Sequence, residues 1–88
     1  MARPLRKVVR EHLFEESLAA LLADPIAADE YMAAAEWVLA HDPSIGFPLK
    51  ADSSVWLLPT QPLKDRQISL YYTFDSSTVR LLLIQAAF

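Results

Sequence analysis

Apolar positions recur at two different spacings along this chain, and the change between them divides it into a helical part and a strand part. Residues 5–9 mix apolar and basic side chains after Pro4, a pattern that predicts a first strand. From Glu11 the spacing turns helical: Phe14, Leu18, Leu21 and Leu22 share one face, while Glu11, Glu15 and Glu16 face water. Those acids also sit in the first turns, where the helix dipole favours them. Asp24 and Pro25 supply an N-cap and a first helical residue, so a second helix is expected over residues 25–40. Its predicted apolar stripe is Ile26, Tyr31, Ala34 and Val38, widened by Ala27 and Ala35. The run Ala33-Ala34-Ala35 carries little bulk and is expected to let the first helix approach closely. Pro43 ends the helix, because the residue before a proline avoids helical dihedrals.

Beyond a loop containing Pro43, Gly46 and Pro48, the spacing drops to two. Residues 53–58 read as a strand stopped by Pro59. Ile68, Leu70, Tyr72 and Phe74 alternate with Ser69, Tyr71 and Thr73, which predicts a strand with one core face. Asp75-Ser76-Ser77 offers turn chemistry through short side chains that bond to backbone. Residues 79–86 are apolar on both faces apart from Arg80 and Gln85, which fits a strand covered on both sides, or placed centrally, better than an edge strand. The order β-α-α-β-β-β describes one α+β domain spanning residues 1–88, a helical hairpin packed on one face of a small, mostly antiparallel sheet.

Charge adds a direction. Between Glu11 and His41 there are seven acids and no lysine or arginine; the eight bases lie outside, beside four acids. The net charge of −3 is thus the sum of a segment near −7 and flanks near +4. A summed field of this kind steers a charged partner to one surface, and the two signs are expected on opposite sides of the domain. The isoelectric point of 5.2 argues against a non-specific nucleic-acid binder. With no cysteine there is no disulfide framework or thiolate metal site, which suits a reducing cytoplasm. The basic N-terminus is not followed by the apolar run of a signal peptide, and no stretch reaches the length of a membrane helix. The single glycine excludes a phosphate-cradling glycine loop.

The residues able to carry chemistry are few. His12 and His41 fall at opposite ends of the hairpin, without a clear third ligand, so no metal or cofactor is expected. Tyr71 faces away from the core-facing Tyr72 and reads either as a sheet-surface aromatic or as a catalytic or partner-contacting residue. Lys50, Lys64, Arg66 and Arg80 either converge on one edge of the sheet or stand as scattered solvated bases. Arg80 interrupts an apolar strand, so it is expected to have a partner. Arg3, Arg6, Lys7 and Arg10 read as the solvent side of an edge strand, and the helical acids as a solvated face.

Particular phrases on this order resemble the RelE/ParE superfamily of bacterial toxin–antitoxin toxins. They are Ala23-Asp24-Pro25 between the helices, residues 42–49 (DPSIGFPL), Trp56, residues 68–75 (ISLYYTFD) and residues 79–84 (VRLLLI). The resemblance spans nearly the whole chain. It implies a compact toxin whose open sheet face binds a target and which a cognate antitoxin wraps and silences. One branch of the superfamily cleaves messenger RNA on the ribosome; another poisons DNA gyrase. The ribonuclease branch uses basic residues, often with a Tyr or His, because 2′-OH attack needs proton transfer and the phosphate needs cationic stabilisation.

Here the family's arginine near the start of the third strand falls on Ile68 or Ser69, and its base after the last strand on Ala86 and Ala87. The expected function is therefore that of a toxin component acting mainly through protein binding, with an antitoxin as partner and a gyrase-type target. Lys50, Lys64, Arg66, Tyr71 and Arg80 are its expected partner-binding residues. The alternative is a ribosome-dependent endoribonuclease with a displaced set, in which Lys64 and Arg66 hold phosphate and Tyr71 assists proton transfer, with Arg80 a further candidate. A third reading is a degenerate, non-toxic member.

Overall fold

The computed structural model describes residues 5–86; Arg3, Pro4, Ala87 and Phe88, which enter the expectations above, lie outside them. The chain runs β1 (Lys7–Arg10), α1 (His12–Leu21), α2 (Pro25–His41), a 3-10 turn (Pro43–Ile45), β2 (Phe47–Pro48), β3 (Trp56–Leu63), β4 (Arg66–Phe74) and β5 (Thr78–Ala86). The sheet order is β1-β5-β4-β3-β2, with β1 parallel to β5 and the other pairs antiparallel. β5 lies inside the sheet, paired by β1 on one side and β4 on the other, so it is not an edge strand, as its two apolar faces led one to expect. Phe14 and Leu18 of α1, Ala28, Met32 and Leu39 of α2, and Ile68, Leu70, Tyr72, Val79, Leu81 and Ile84 of the sheet form the core.

Several details depart from the sequence reading. The first strand is shifted to Lys7–Arg10, because the N–H of Arg6 bonds instead to the carbonyl of Ala40 at 3.1 Å. On α2 the buried positions are Ala28, Met32 and Leu39, while Ile26 is 71% exposed. This helix is apolar around most of its circumference, so periodicity alone does not select its inner face. Ala33 and Ala34 face solvent, and α1 packs mainly on β5 rather than on α2. β3 does not stop at Pro59: that residue pairs with Ser69 inside the strand. Phe47 and Pro48 add a short fifth strand against Leu57 and Trp56.

Two features join the layers. Tyr71 lies opposite Leu83 and Tyr72 opposite Leu81, so Leu82 is an extra residue on β5. β1 ends opposite Leu81, and beyond it the N–H of Ile84 donates to the hydroxyl of Ser17 on α1 at 3.1 Å. At the other end, the hydroxyl of Tyr72 accepts from the N–H of Gly46 at 3.2 Å and donates to the carbonyl of Pro43. That phenol latches the α2–β2 connection onto the sheet.

The β4–β5 turn follows the chemistry expected of Asp75. Its Oδ1 accepts from the N–H groups of Ser77 and Thr78, both at 2.8 Å, and these bonds hold the carboxyl below its ordinary pKa. Arg6 closes the same end, donating from Nε to the Asp75 carbonyl at 2.8 Å with its guanidinium over the Phe74 ring. A depressed carboxylate stabilises the fold only while ionised. Its contribution is complete above the unfolded value of about 3.9 and is lost as pH falls through the lower folded value. Urea midpoints of Asp75→Asn should therefore lie below wild type at pH 7, and the gap should close in that acid range. A gap independent of pH down to 2 would show that the charge plays no part.

Candidate functional site

The helices cover one face of the sheet and leave the other uncovered. Opposed residues on neighbouring strands share a face, so register sets out the uncovered face in rows. One row runs Leu83, Tyr71, Leu57, Phe47 across β5, β4, β3 and β2. It is apolar apart from the Tyr71 hydroxyl; Phe47 is exposed and the other three are half-buried. Toward the β4–β5 turn the next row carries Val9, Arg80 and Thr73. On the other side lie Gln85, Ser69 and Pro59. Gln85 Nε2 donates to the Tyr71 hydroxyl at 3.1 Å, which directs the phenol along this face.

Of the sequence-derived candidates, Tyr71 and Arg80 share the open face in adjacent rows. Lys50, Lys64 and Arg66 do not join them. Lys50 lies in the β2–β3 loop, where its carbonyl accepts from the N–H of Ser53 at 3.1 Å. Lys64 and Asp65 form the β3–β4 turn, at φ values of 51° and 62°. Arg66 opens β4 with the parity of Ile68, Leu70 and Tyr72, toward the helical side and past the end of the core. Between Arg66 and Thr73, which pairs with Arg80, lies about 23 Å of strand at roughly 3.3 Å per residue. The bases thus sit at opposite ends of long strands and do not converge.

Arg80 has the partner its position required: its guanidinium meets the carboxylate of Glu11 at 3.2 Å, both side chains largely exposed. Arg10, expected on the solvent side of the edge strand, instead turns toward α2. Its Nε and Nη2 donate to the two carboxylate oxygens of Glu36 at 2.8 and 3.0 Å, and Nη1 donates to Asp29 at 3.0 Å. The hydrogen bond to Glu36 raises the guanidinium pKa further still, against the opposing effect of burial. The two signs are therefore not held on opposite sides of the domain; they meet along β1. His12 lies 3.1 Å from Glu16, an ion pair when the imidazole is protonated, and His41 stacks on Trp37 with ring centroids 4.0 Å apart.

A second concavity lies on the helical side, where α2 does not fully cover β3. This groove of about 290 Å³ is lined by Tyr31, Ala34, Ala35, Val38, Ile45, Leu58, Pro59, Thr60 and Gln61. The Tyr31 hydroxyl closes one end, bonding to the Thr60 hydroxyl at 2.7 Å and donating to the Gln61 carbonyl. Neither this groove nor the row through Leu83, Leu57 and Phe47 was expected from sequence. Both arise from strand register, and the alternation of β4 was the one local signal of an uncovered face.

The strand edges on this side are blunted. Phe47 pairs with Leu57, and Leu49 donates to the carbonyl of Val55 at 3.0 Å, so the backbones of Val55, Leu57, Pro59 and Gln61 alternate outward from β4. At Pro59 the outward N–H is missing, and at Gln61 the outward carbonyl is occupied by Tyr31. Pro48, facing outward from β2, lacks its donor too. Proline is tolerated on an edge for this reason, and it discourages pairing with another strand.

No family model matches the sequence, and no curated protein matches it. Among solved structures, the chain is similar to one in the crystal structure of the toxin–antitoxin complex RelBE2 from Mycobacterium tuberculosis. The TM-score is 0.68 and the identity 18%, over 94% of this chain and 92% of that one. The likeness is one of fold, and it is the fold that the resemblance to the RelE/ParE superfamily implied.

Proposed function

We propose that this chain is the toxin-type component of a bacterial toxin–antitoxin pair and works by binding proteins: an antitoxin that silences it, and a gyrase-type target. The shared fold supports the class. The observation that carries the binding mode is the open sheet face, where Leu83, Tyr71, Leu57 and Phe47 align across four strands. Apolar side chains in such a row bury favourably under a partner, at roughly 25 cal/mol per Å². Phosphate chemistry finds less support. Ile68, at the position of the family arginine, is fully buried, and Ser69 carries no charge. A pentavalent phosphate needs cations gathered at one point, and here they are spread along the strands.

Co-expression with the product of the adjacent reading frame tests the reading. Growth inhibition by this chain alone, relieved by the neighbour and accompanied by co-purification, is the expected result. A chain that is soluble, monomeric and harmless alone, with a neighbour that does not bind, would sink it. Leu83→Glu is expected to weaken capture of that neighbour at least tenfold by placing a charge in the apolar row. The rival ribonuclease reading is separated by Arg66→Ala and Arg80→Ala. Growth inhibition should survive both replacements, and no messenger RNA should be cut in a translation extract.

A further inference from the structure

From the ion pair on the open sheet face we infer that Glu11 holds the place of a partner's carboxylate: an amphipathic helix lying on the apolar row brings an acidic side chain to Arg80 and displaces Glu11. The inference rests on the protein-binding reading above and concerns the partner that silences the chain, not its target. Glu11 follows β1 with the parity of Val9, so it reaches the open face beside Arg80. It occupies the N-cap of α1, yet its side chain makes no capping bond. Instead it accepts from Nη1 of Arg80 in a single contact of 3.2 Å, the two side chains being 41% and 50% exposed. A pair of this kind is weak and exchangeable, unlike the forked and largely buried pair of Arg10 and Glu36.

The surroundings of Arg80 favour an added acid. Strands β2 to β5 contain no aspartate or glutamate. At the β4–β5 turn a concavity of about 190 Å³ is lined by Thr73, Phe74, Asp75, Thr78 and Arg80, and the exposed Lys7 stands opposite Thr78 on β1. Asp75 commits its Oδ1 to the N–H groups of Ser77 and Thr78, while Arg6 binds its backbone carbonyl. Arg6, Lys7 and Arg80 thus gather at this end beside two acids, Glu11 and Asp75, each already engaged. A carboxylate from a partner meets Arg80 and Lys7 there, whereas a base meets like charge; such complementarity orients a partner and excludes the wrong one.

Geometry points to a helix. The face of a sheet presents side chains and not backbone groups, so a segment lying on it must satisfy its own N–H and C=O groups. Thr73, which pairs with Arg80, lies two residues from Tyr71, about 7 Å along β4 at roughly 3.3 Å per residue. Side chains three or four positions apart on a helix stand about 5–6 Å apart. An apolar anchor over Tyr71 and an acid one turn away therefore reach Tyr71 and the long side chain of Arg80 together.

Fluorescence anisotropy on the full chain tests this with three labelled 14-residue peptides. Each is an alanine-based helix with the same leucine stripe, flanked on one side by two glutamates, two glutamines or two lysines. The glutamate peptide should bind at least tenfold more tightly than the lysine peptide and threefold more tightly than the glutamine one. Arg80→Gln should remove the advantage of glutamate over glutamine. Glu11→Gln should strengthen binding of the glutamate peptide at least threefold while leaving the melting temperature within a few degrees, an effect that a merely structural pair would not produce. Absence of binding, indifference to the flanking charge, a glutamate advantage that survives Arg80→Gln, or no gain from Glu11→Gln would overturn the inference. Because the probes are synthetic, those outcomes leave the toxin–antitoxin reading to its own co-expression test.

Discussion

Replacing Gly46 with alanine is expected to lower the stability of this domain by about 2–4 kcal/mol, through overpacking and a lost hydrogen bond. The backbone at Gly46 has a negative φ, so the glycine is not needed for an unusual conformation. It is needed for space. A Cβ at this position would stand 2.5 Å from the carbonyl oxygen of Leu57 and 2.5 Å from the hydroxyl of Tyr72. Neither neighbour yields easily: one is sheet backbone and the other ends a fully buried side chain. Relief requires moving residues 43–46 away from the sheet, which breaks the bond from the Gly46 N–H to Tyr72. For a domain of this size the melting temperature should fall by roughly 10–25 °C, as followed by circular dichroism. Tyr72→Phe is the companion variant. It strands the same N–H and the Pro43 carbonyl and should cost about 1–3 kcal/mol. In the Tyr72→Phe background the alanine should cost less than in wild type, because one of the two clashes is gone. Unchanged melting of Gly46→Ala would refute the close approach.

Arg10→Ala is expected to cost about 2–3 kcal/mol, between the small value of exposed ion pairs and the ~3–5 kcal/mol of fully buried ones. The intermediate figure follows from burial: the side chains of Arg10 and Glu36 are 19% and 24% exposed. Both carboxylate oxygens of Glu36 are engaged, and the fork of donors is one that lysine cannot reproduce. Arg10→Lys should therefore recover only part of the loss. A double-mutant cycle with Glu36→Ala should give a coupling of about 1–2 kcal/mol, and one with the exposed Asp29 less than 1 kcal/mol. Additive Arg10 and Glu36 effects would mean that packing of the arginine stem, not the charge pair, holds β1 to α2.

How much of this was legible beforehand differs from element to element. The start of α2 was plain, because Asp24 caps it by accepting from the Ile26 N–H and Pro25 follows in first position. β4 was plain because its alternation is strict, and its buried set is the expected one, with Phe74 half-buried at the end. The inner face of α2 was misjudged, since Ile26, Tyr31, Met32, Trp37 and Leu39 leave few polar positions to mark an outside. Among the candidate site residues, Tyr71 was expected on the face away from the core and lies there with Arg80 in the adjacent row, but their neighbours Leu83, Leu57 and Phe47 were not foreseen. Each belongs to a different strand, and nothing local ties residue 47 to residue 83.

By itself, then, the sequence determined what depends on neighbours within a turn or a strand: the helices, the two-residue period of β4, the place of β5 away from the sheet edge and the turn at Asp75. The uneven distribution of acids and bases was equally visible, though its meaning was not. Tertiary structure alone decided that Arg10 and Arg80 meet the acids of the helical segment, that Lys50, Lys64 and Arg66 stand apart, and that Gly46 must remain without a side chain. These outcomes rest on contacts between residues tens of positions apart. Such contacts are set by the register of the sheet and by which faces pack, and a one-dimensional period carries neither.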